Sequence, residues 1–191
     1  MGDLIMIEVE IKLPIADAET VEMKLQKLGF QKENLMRESD IYLNSMDYDL
    51  REKDMALRIR NCENLSTGET QAVLTYKGPK LDHISMTRQE LETEVADANV
   101  CQEILKGIGY TQIYPVCKLR QYYQKEKITA CVDRVERLGD FLELEILTNN
   151  ENGREKALKQ LNEVLEKLGY RMEDTICSSY LSMLQQNEGR C

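Results

Sequence analysis

The sequence predicts an α+β fold in which eight antiparallel β-strands form a sheet or a barrel that helices cover from outside. Segments with a period of two residues, typical of strands, alternate with segments that repeat apolar residues every three or four positions, as helices do. Eight segments are strand-like and occur without long crossovers, which favours antiparallel pairing. A chain of 191 residues is long enough for one sizeable core, so we expect residues 1–191 to form a single domain.

The predicted strands follow the segments of alternating hydropathy from the N-terminus onwards. They cover residues 6–13, 40–43, 56–61, 71–77, 87–95, 116–124, 128–135 and 141–147. The turn-rich stretch 62–69 is expected to be a hairpin loop between the third and fourth strands. The stretch around His83, between the fourth and fifth strands, is expected to be a loop as well.

Three helices are predicted from apolar residues that recur on one face. They cover residues 18–28, 99–108 and 154–168, and Asn152 is the expected N-terminal cap of the third. Each helix is followed directly by a glycine where a C-terminal cap needs a left-handed residue, at Gly29, Gly109 and Gly169. A short fourth helix is expected at residues 179–184.

The composition excludes several classes of site. His83 is the single histidine, which argues against histidine-based catalytic triads and multi-histidine metal sites. The six cysteines contain no CxxC pair, so zinc and disulfide sites are poor interpretations too. A metal ion would therefore be held by carboxylates, which suit Mg²⁺ or Mn²⁺.

Charge and hydropathy limit the expected partners and location. A formal net charge of -9 argues against a general nucleic-acid-binding protein, because such proteins present basic surface to the phosphate backbone. No apolar run approaches the roughly 18 residues of a membrane span. The N-terminus shows no signal-peptide pattern. We therefore expect a cytoplasmic location, with no nucleic-acid partner and no membrane partner.

The strongest functional signal is a group of strands with one wholly charged face. In the first strand Glu8, Glu10 and Lys12 share a face and apolar residues occupy the other. The pattern recurs in Arg58 and Arg60, in Arg88 with Glu90, Glu92 and Glu94, in Lys118 and Arg120, and in Glu143 and Glu145. Side chains at i and i+2 lie roughly 6–7 Å apart on a strand, so like charges there repel unless an opposite charge lies between them.

Two interpretations of these charged faces are open. For any one strand, the simpler is a solvated outer face of an antiparallel sheet. The alternative is a barrel that is apolar towards covering helices and charged within, which requires water, opposite charges, metal ions and a charged ligand to satisfy the interior charges. Arginine and lysine would then bind phosphate oxygens while paired glutamates hold divalent metals, so the ligand would be a polyanion.

The order of motifs along the chain resembles the CYTH family. Glu8-Val9-Glu10-Ile11-Lys12 looks like the ExExK signature of that domain, which is weak evidence alone. It is followed in order by Asp40-Ile41-Tyr42, Ala56-Leu57-Arg58-Ile59-Arg60, Leu74-Thr75-Tyr76-Lys77-Gly78-Pro79, Arg88-Gln89-Glu90-Leu91-Glu92, Lys118-Leu119-Arg120, Val132-Asp133, Phe141-Leu142-Glu143-Leu144-Glu145 and Ser179-Tyr180-Leu181. The resemblance is nearest to the CyaB-type class IV adenylyl cyclases. It implies a closed eight-stranded antiparallel β-barrel, the triphosphate tunnel, with helices packed on the outside.

The resemblance also implies roles for individual residues. The implied triphosphate ligands are Lys12, Arg58, Arg60, Lys77, Arg88, Lys118 and Arg120. Two Mg²⁺ or Mn²⁺ ions are implied as cofactors, with Glu8, Glu10, Glu143, Glu145 and the additional candidate Asp133 as ligands, and the implied catalytic residues are Glu8, Glu10, Lys12, Glu143 and Glu145. Glu90 and Glu92 could be metal-side ligands or counter-ions, and we favour the second. Tyr42 and Tyr180 could line the nucleoside end, although core positions are commoner for such tyrosines.

The resemblance implies a metal-dependent adenylyl cyclase that converts ATP to cyclic AMP and pyrophosphate. A triphosphatase acting on tripolyphosphate, thiamine triphosphate or a nucleotide would use the same tunnel, and strand faces do not distinguish the two. A non-catalytic polyphosphate or nucleotide sensor is disfavoured, because two Glu-x-Glu pairs weaken anion binding unless metals cover them. Related cyclases are dimers, so a homodimer is implied by analogy alone.

Overall fold

A computed structural model describes residues 7–82, 85–148 and 151–188. Its strands are β1 (Ile7–Pro14), β2 (Gln31–Ser45), β3 (Ala56–Asn64), β4 (Thr70–Lys80), β5 (Arg88–Val95), β6 (Tyr110–Lys125), β7 (Ile128–Val135) and β8 (Gly139–Thr148). Its helices are α1 (Ala18–Lys27), α2 (Ala98–Gly107), α3 (Glu151–Leu168) and α4 (Tyr180–Glu188), with a 3-10 turn at Met172–Asp174. The predicted strand start at residue 6 and the predicted loop at His83 lie outside the described residues.

The eight strands form one closed antiparallel barrel. The order around the barrel is β1, β5, β4, β3, β2, β6, β7 and β8, after which β8 pairs with β1. Each pairing is antiparallel, and most neighbours are also consecutive in sequence. The predicted fold class is confirmed.

The two strands β2 and β6 are much longer than predicted. β2 begins at Gln31 rather than at residue 40, and β6 begins at Tyr110 rather than at residue 116. The added residues take part in the pairing of β2 with β6, as in Gln31 with Gln124 and Ser45 with Tyr110. Residues 31–34 are all exposed, so a hydrophobic pattern could not show this extension. Backbone pairing between two neighbouring strands, not burial, forms these ends.

The helix predictions are confirmed with one correction at a cap. α3 begins at Glu151, so Asn152 lies within its first turn and the predicted N-cap is wrong. The predicted glycine caps are present, and Gly29 shows the geometry clearly with a φ of 87°. The Gly29 N–H donates to the Gln26 carbonyl at 2.9 Å and the Phe30 N–H donates to the Leu25 carbonyl at 3.1 Å, which is the Schellman arrangement.

The main hydrophobic core lies outside the barrel wall, beneath α1 and α3. Val9, Ile11 and Leu13 of β1 are fully buried there together with Leu25 of α1 and Leu161 of α3. Each such side chain contributes roughly 1.5–3 kcal/mol relative to exposure. Because side chains alternate along a strand, the charged residues of β1 face the barrel interior. The charged-interior interpretation is therefore the correct one for this strand.

A second, smaller core lies where α4 packs against the barrel. Tyr180, Leu181 and Leu184 of α4 pack with Val116 of β6 and Phe141 of β8. The rings of Tyr180 and Phe141 meet edge to face, with centroids 5.0 Å apart. This packing places the C-terminal segment beside the interior of the barrel.

Candidate functional site

The barrel encloses a cavity of about 530 Å³ whose wall is mostly charged. Its lining includes all but one of the predicted site residues, namely Glu8, Glu10, Lys12, Arg58, Arg60, Lys77, Arg88, Lys118, Arg120, Glu143 and Glu145. Asp133, the remaining one, is fully buried in the wall behind the lining. The strand register thus brings residues from across the chain into one interior.

Strand register also creates the ion pairs on one side of this cavity. Asp40 lies directly opposite Arg60, and Asp133 directly opposite Arg120. Arg60 donates to the two Asp40 oxygens at 2.6 and 2.8 Å, and Arg120 donates to the two Asp133 oxygens at 2.6 and 2.5 Å. Both pairs are bidentate, which fixes the plane of each guanidinium. We refer to Arg58, Arg60, Lys118 and Arg120 as the cation cluster.

The carboxylates beside the cation cluster are held ionised. Burial alone would raise the pKa of Glu38, but the charges of Arg60, Lys118 and Arg120 outweigh it and hold that pKa well below the ordinary glutamate value. Burial likewise opposes ionisation of Asp40, yet Arg60 and Arg58 lower its pKa to about 2. These groups are therefore permanent counter-ions at neutral pH.

Three other carboxylates, Glu8, Glu10 and Glu145, form what we call the acidic triad. One oxygen from each lies within 4.8 Å of the others. Glu10 and Glu145 face each other directly across the β1–β8 pair, and Glu8 is two residues before Glu10 on the same face. Burial is the largest cause that raises the pKa of each, and neighbouring carboxylates add to it. Nearby cations, such as Lys12 at 3.1 Å from Glu10, offset burial only in part.

The acidic triad fits a divalent metal ion. Three carboxylates that converge on one point, Glu10 buried and the other two half-buried, repel one another, and a hard cation with oxygen ligands removes that repulsion. Within the described residues, no other group of three or more histidine, cysteine or acidic side chains has this convergence. Glu8, Glu10 and Glu145 would hold the ion.

The other two predicted metal ligands, Glu143 and Asp133, form ion pairs with lysine and arginine side chains. Glu143 contacts Lys12 at 2.9 Å and also forms an ion pair with Arg120. Burial opposes ionisation of Glu143, but Arg120 and Lys12 hold its pKa well below the ordinary value. Asp133 contacts Lys118 at 3.4 Å as well as Arg120. Their role as metal ligands stays a prediction, and the structure joins them to the cation cluster.

Lys77 and Arg58 also have acidic partners on other strands of the barrel. Lys77 forms an ion pair with Glu90 and lies 3.7 Å from Glu8, so it borders the acidic triad. Arg58 donates to Glu92 at 3.4 Å. These contacts are those expected of counter-ions, the role favoured for Glu90 and Glu92 from the sequence.

Arg88 is engaged at the rim of the cavity. Its guanidinium donates to the carbonyls of Asp54 at 2.6 Å and Gly78 at 2.8 Å, and to the Asp54 carboxylate at 3.1 Å. Lys80 also contacts that carboxylate, at 2.5 Å. Arg88 therefore ties the β2–β3 loop to the β4–β5 hairpin, and its predicted role as a phosphate ligand stays a prediction.

Sequence reasoning missed two residues of the site, Glu38 and Tyr122. The Tyr122 hydroxyl donates to Glu38 at 2.8 Å. Glu38 lies two residues before Asp40 and therefore shares its strand face. This pattern was not used because the predicted strand began only at residue 40. Tyr180 belongs to the smaller core, the commoner role considered for it from the sequence, and it also lines the cavity, where its hydroxyl donates to Asp133 at 2.9 Å. Its ring also lies under Lys12, with the ammonium 4.4 Å from the ring centroid.

A second cavity, also of about 530 Å³, adjoins the first at the acidic triad. Glu8 and Glu145 line both cavities. Gln124, Lys127 and Thr129 at the β6–β7 turn line the far side of the second cavity. A ligand bound at the acidic triad could therefore extend in two directions.

The comparison with known proteins agrees with this architecture. A family model described as the CYTH domain matches residues 6–180. The chain belongs to the CYTH family. It is 42% identical over 178 residues, 93% of this chain and 98% of the relative, to a Methanocaldococcus jannaschii protein provisionally named as an adenylate cyclase. It is 25% identical over 183 residues, 94% of this chain and 90% of the relative, to adenylate cyclase CyaB of Aeromonas hydrophila.

A solved structure shows the same CYTH fold at low sequence identity. It is that of HpAC1 from Hippeastrum, a provisionally named adenylyl cyclase described as having a dominant triphosphatase activity. The TM-score is 0.67 at 18% identity, and the match covers 95% of this chain and 96% of HpAC1. The likeness concerns the fold alone.

Within residues 7–82, 85–148 and 151–188, none of the four helices combines the length and the apolar character that crossing a bilayer requires.

Proposed function

We propose that this CYTH protein is a metal-dependent class IV adenylyl cyclase that converts ATP to cyclic AMP and pyrophosphate. The observation that carries the proposal is the division of one tunnel into an acidic triad and a cation cluster. A nucleoside triphosphate with divalent ions needs both, since its phosphate oxygens bind to cations and its metal ions to carboxylates. The cyclase names of the M. jannaschii and A. hydrophila relatives support this reaction over others on the same fold.

The chain's residues would divide the work along the tunnel. Arg60, Lys118 and Arg120 would bind the β- and γ-phosphate oxygens and neutralise the charge that grows on the leaving pyrophosphate. The acidic triad would hold Mg²⁺ or Mn²⁺ beside the α-phosphorus, where such an ion lowers the pKa of a hydroxyl and stabilises negative charge. The ribose 3′-oxygen then forms a bond to the α-phosphorus as the bond to the bridging oxygen breaks, and the hydroxyl proton passes to solvent.

The second cavity supports a nucleotide over an inorganic chain of phosphates. With the β- and γ-phosphates at the cation cluster, the α-phosphorus would lie at the acidic triad. The nucleoside would then extend beyond Glu8 and Glu145 into the cavity lined by Gln124, Lys127 and Thr129. Tripolyphosphate would leave that space unfilled.

The alternative is a triphosphatase, in which water attacks a terminal phosphorus. In this reaction the triphosphate would bind in the opposite orientation, with its terminal phosphate at the acidic triad. No bound nucleoside would be needed. This alternative is retained because HpAC1, a protein of the same fold, is described as having a dominant triphosphatase activity.

A product assay separates the two reactions. The purified chain would be incubated with ATP, tripolyphosphate or thiamine triphosphate, each with Mg²⁺ or Mn²⁺, and the products resolved by chromatography. Cyclic AMP with equimolar pyrophosphate from ATP is the expected result, and it should disappear when EDTA is added. Orthophosphate alone would reassign the chain as a triphosphatase, and no turnover on any substrate would support a sensor.

A further inference from the structure

We propose that Glu38 is the positioning residue that joins the cations of β3 and β6 into a single triphosphate-binding surface. This inference rests on the proposed function only in taking a triphosphate as the ligand. It assigns a role to a residue whose side chain is almost inaccessible, with 1% exposed, and which therefore acts through its neighbours.

The contacts of Glu38 explain why it joins two groups that would otherwise be separate. Arg60 of β3 is already paired with Asp40, and Arg120 of β6 is already paired with Asp133. The Glu38 Oε2 atom lies between them, 3.0 Å from Arg60 Nη1 and 4.0 Å from Arg120 Nε. It is also 3.3 Å from the Lys118 ammonium. One carboxylate oxygen thus meets three cations from two strands that are not adjacent to each other.

The other oxygen of Glu38 holds the side chain in this position. Oε1 accepts the Tyr122 hydroxyl at 2.8 Å. Oε2, in contrast, makes ionic contacts but no hydrogen bond of good geometry within the described chain. Tyr122 therefore orients the carboxylate, and the carboxylate charge attracts the three cations.

The electrostatic consequence concerns the tunnel without substrate. Three cations within about 4 Å of one point repel one another strongly in a low-dielectric interior, and they separate unless an anion lies between them. Glu38 supplies that anion from behind the binding surface, so the outer side of each cation stays available to phosphate oxygens. Preorganised donors lose little on binding, which raises affinity for the ligand.

Two variants and one control test this role by binding, without turnover. Glu38→Gln removes the charge and keeps the shape, and Tyr122→Phe removes only the hydrogen bond to Glu38. The matched control is Glu63→Gln. Glu63 lies on β3 and forms an ion pair with Arg37 of β2, but this pair is exposed to solvent. Calorimetry in EDTA gives the affinity for tripolyphosphate, and electron paramagnetic resonance gives Mn²⁺ affinity without tripolyphosphate.

Glu38→Gln should weaken tripolyphosphate binding about 10- to 100-fold, a range taken from the loss of partners that orient metal ligands. Mn²⁺ affinity at the acidic triad should change by less than about twofold. Tyr122→Phe should weaken tripolyphosphate binding about two- to fivefold, and Glu63→Gln should leave both affinities unchanged.

Several outcomes would overturn the role of Glu38. Unchanged or tighter tripolyphosphate binding by Glu38→Gln would mean that Glu38 merely cancels charge. Equal losses of Mn²⁺ and tripolyphosphate affinity would indicate a general structural role. If Glu38→Gln fails to fold, unchanged affinity in Tyr122→Phe overturns the proposal. Failure of the cyclase assignment would appear separately, in the product assay, because neither binding measurement requires catalysis.

Discussion

The acidic triad and the pair Glu38 and Asp40 belong to the same barrel, yet their carboxyl pKa values shift in opposite directions. Burial raises the pKa of Glu8, Glu10 and Glu145. Burial acts on Glu38 and Asp40 too, but there several cations outweigh it and lower the pKa. The identity of the residue therefore does not decide its role. The charges that face it decide whether a glutamate is a counter-ion or an open ligand.

This difference shows how one tunnel can bind a polyanion together with its metal ions. At the cation cluster, Glu38, Asp40 and Asp133 fix the guanidinium groups from behind. At the acidic triad, nearby cations compensate the carboxylates only in part, and a divalent ion would complete the compensation. A triphosphate that carries metal ions is complementary to both regions at once.

The largest expected effect separates Glu145 from Glu143, two residues apart on β8. Glu145→Gln removes a triad ligand and should reduce turnover roughly 10²- to 10³-fold, about 3–4 kcal/mol of transition-state stabilisation. It should retain tripolyphosphate affinity in EDTA, since no cation depends mainly on Glu145. Glu143→Gln should weaken tripolyphosphate binding as well, because Lys12 and Arg120 lose a partner. Kinetics and calorimetry on both variants measure this.

Glu163→Gln on the exposed side of α3 is the control for these two variants. It should match the unaltered protein in both assays. If Glu143→Gln and Glu145→Gln behaved alike in turnover and in binding, the division between triad and cluster would be wrong.

The next effect is on stability against pH in the metal-free protein. The triad's raised pKa values mean that the folded state loses stability as pH rises above the ordinary glutamate value of 4.5. The lowered pKa of Asp40, about 2 against 3.8, means that stability is lost as pH falls through this window, by about 2 kcal/mol for that group. Stability should therefore be greatest near pH 4–5.

Urea unfolding between pH 3 and pH 8, with EDTA or with Mn²⁺, tests this expectation. Mn²⁺ should raise stability on the neutral side of the maximum and leave the acidic side unchanged. A maximum that stays near pH 7 without metal would contradict the raised pKa values of the triad.

Much of this division could be predicted from the sequence. Strict alternation placed Glu8 and Glu10 on a wholly charged face, and a polyanion with metals was the physical solution for such a face. Which carboxylates pair with cations could not be predicted, since that depends on the register across β1 and β8, where Glu10 meets Glu145 and Lys12 meets Glu143. Glu38 was missed because residues 31–39 form strand by backbone pairing with β6, and their polar pattern does not show it.

The smallest effect concerns Arg88, a cation that belongs to neither region. The residue is only 7% exposed and its guanidinium donates hydrogen bonds to Asp54 and Gly78, so it should influence the ligand by holding the β2–β3 loop. Arg88→Lys and Asp54→Asn should then each weaken ATP binding by about two- to fivefold, and the double variant should be no worse than Arg88→Lys alone, since both remove one link. Calorimetry on the three variants gives the coupling free energy between Arg88 and Asp54 in ATP binding.

If Arg88 binds phosphate directly, Arg88→Lys would instead weaken ATP binding more than about tenfold, and Asp54→Asn would add its own effect independently.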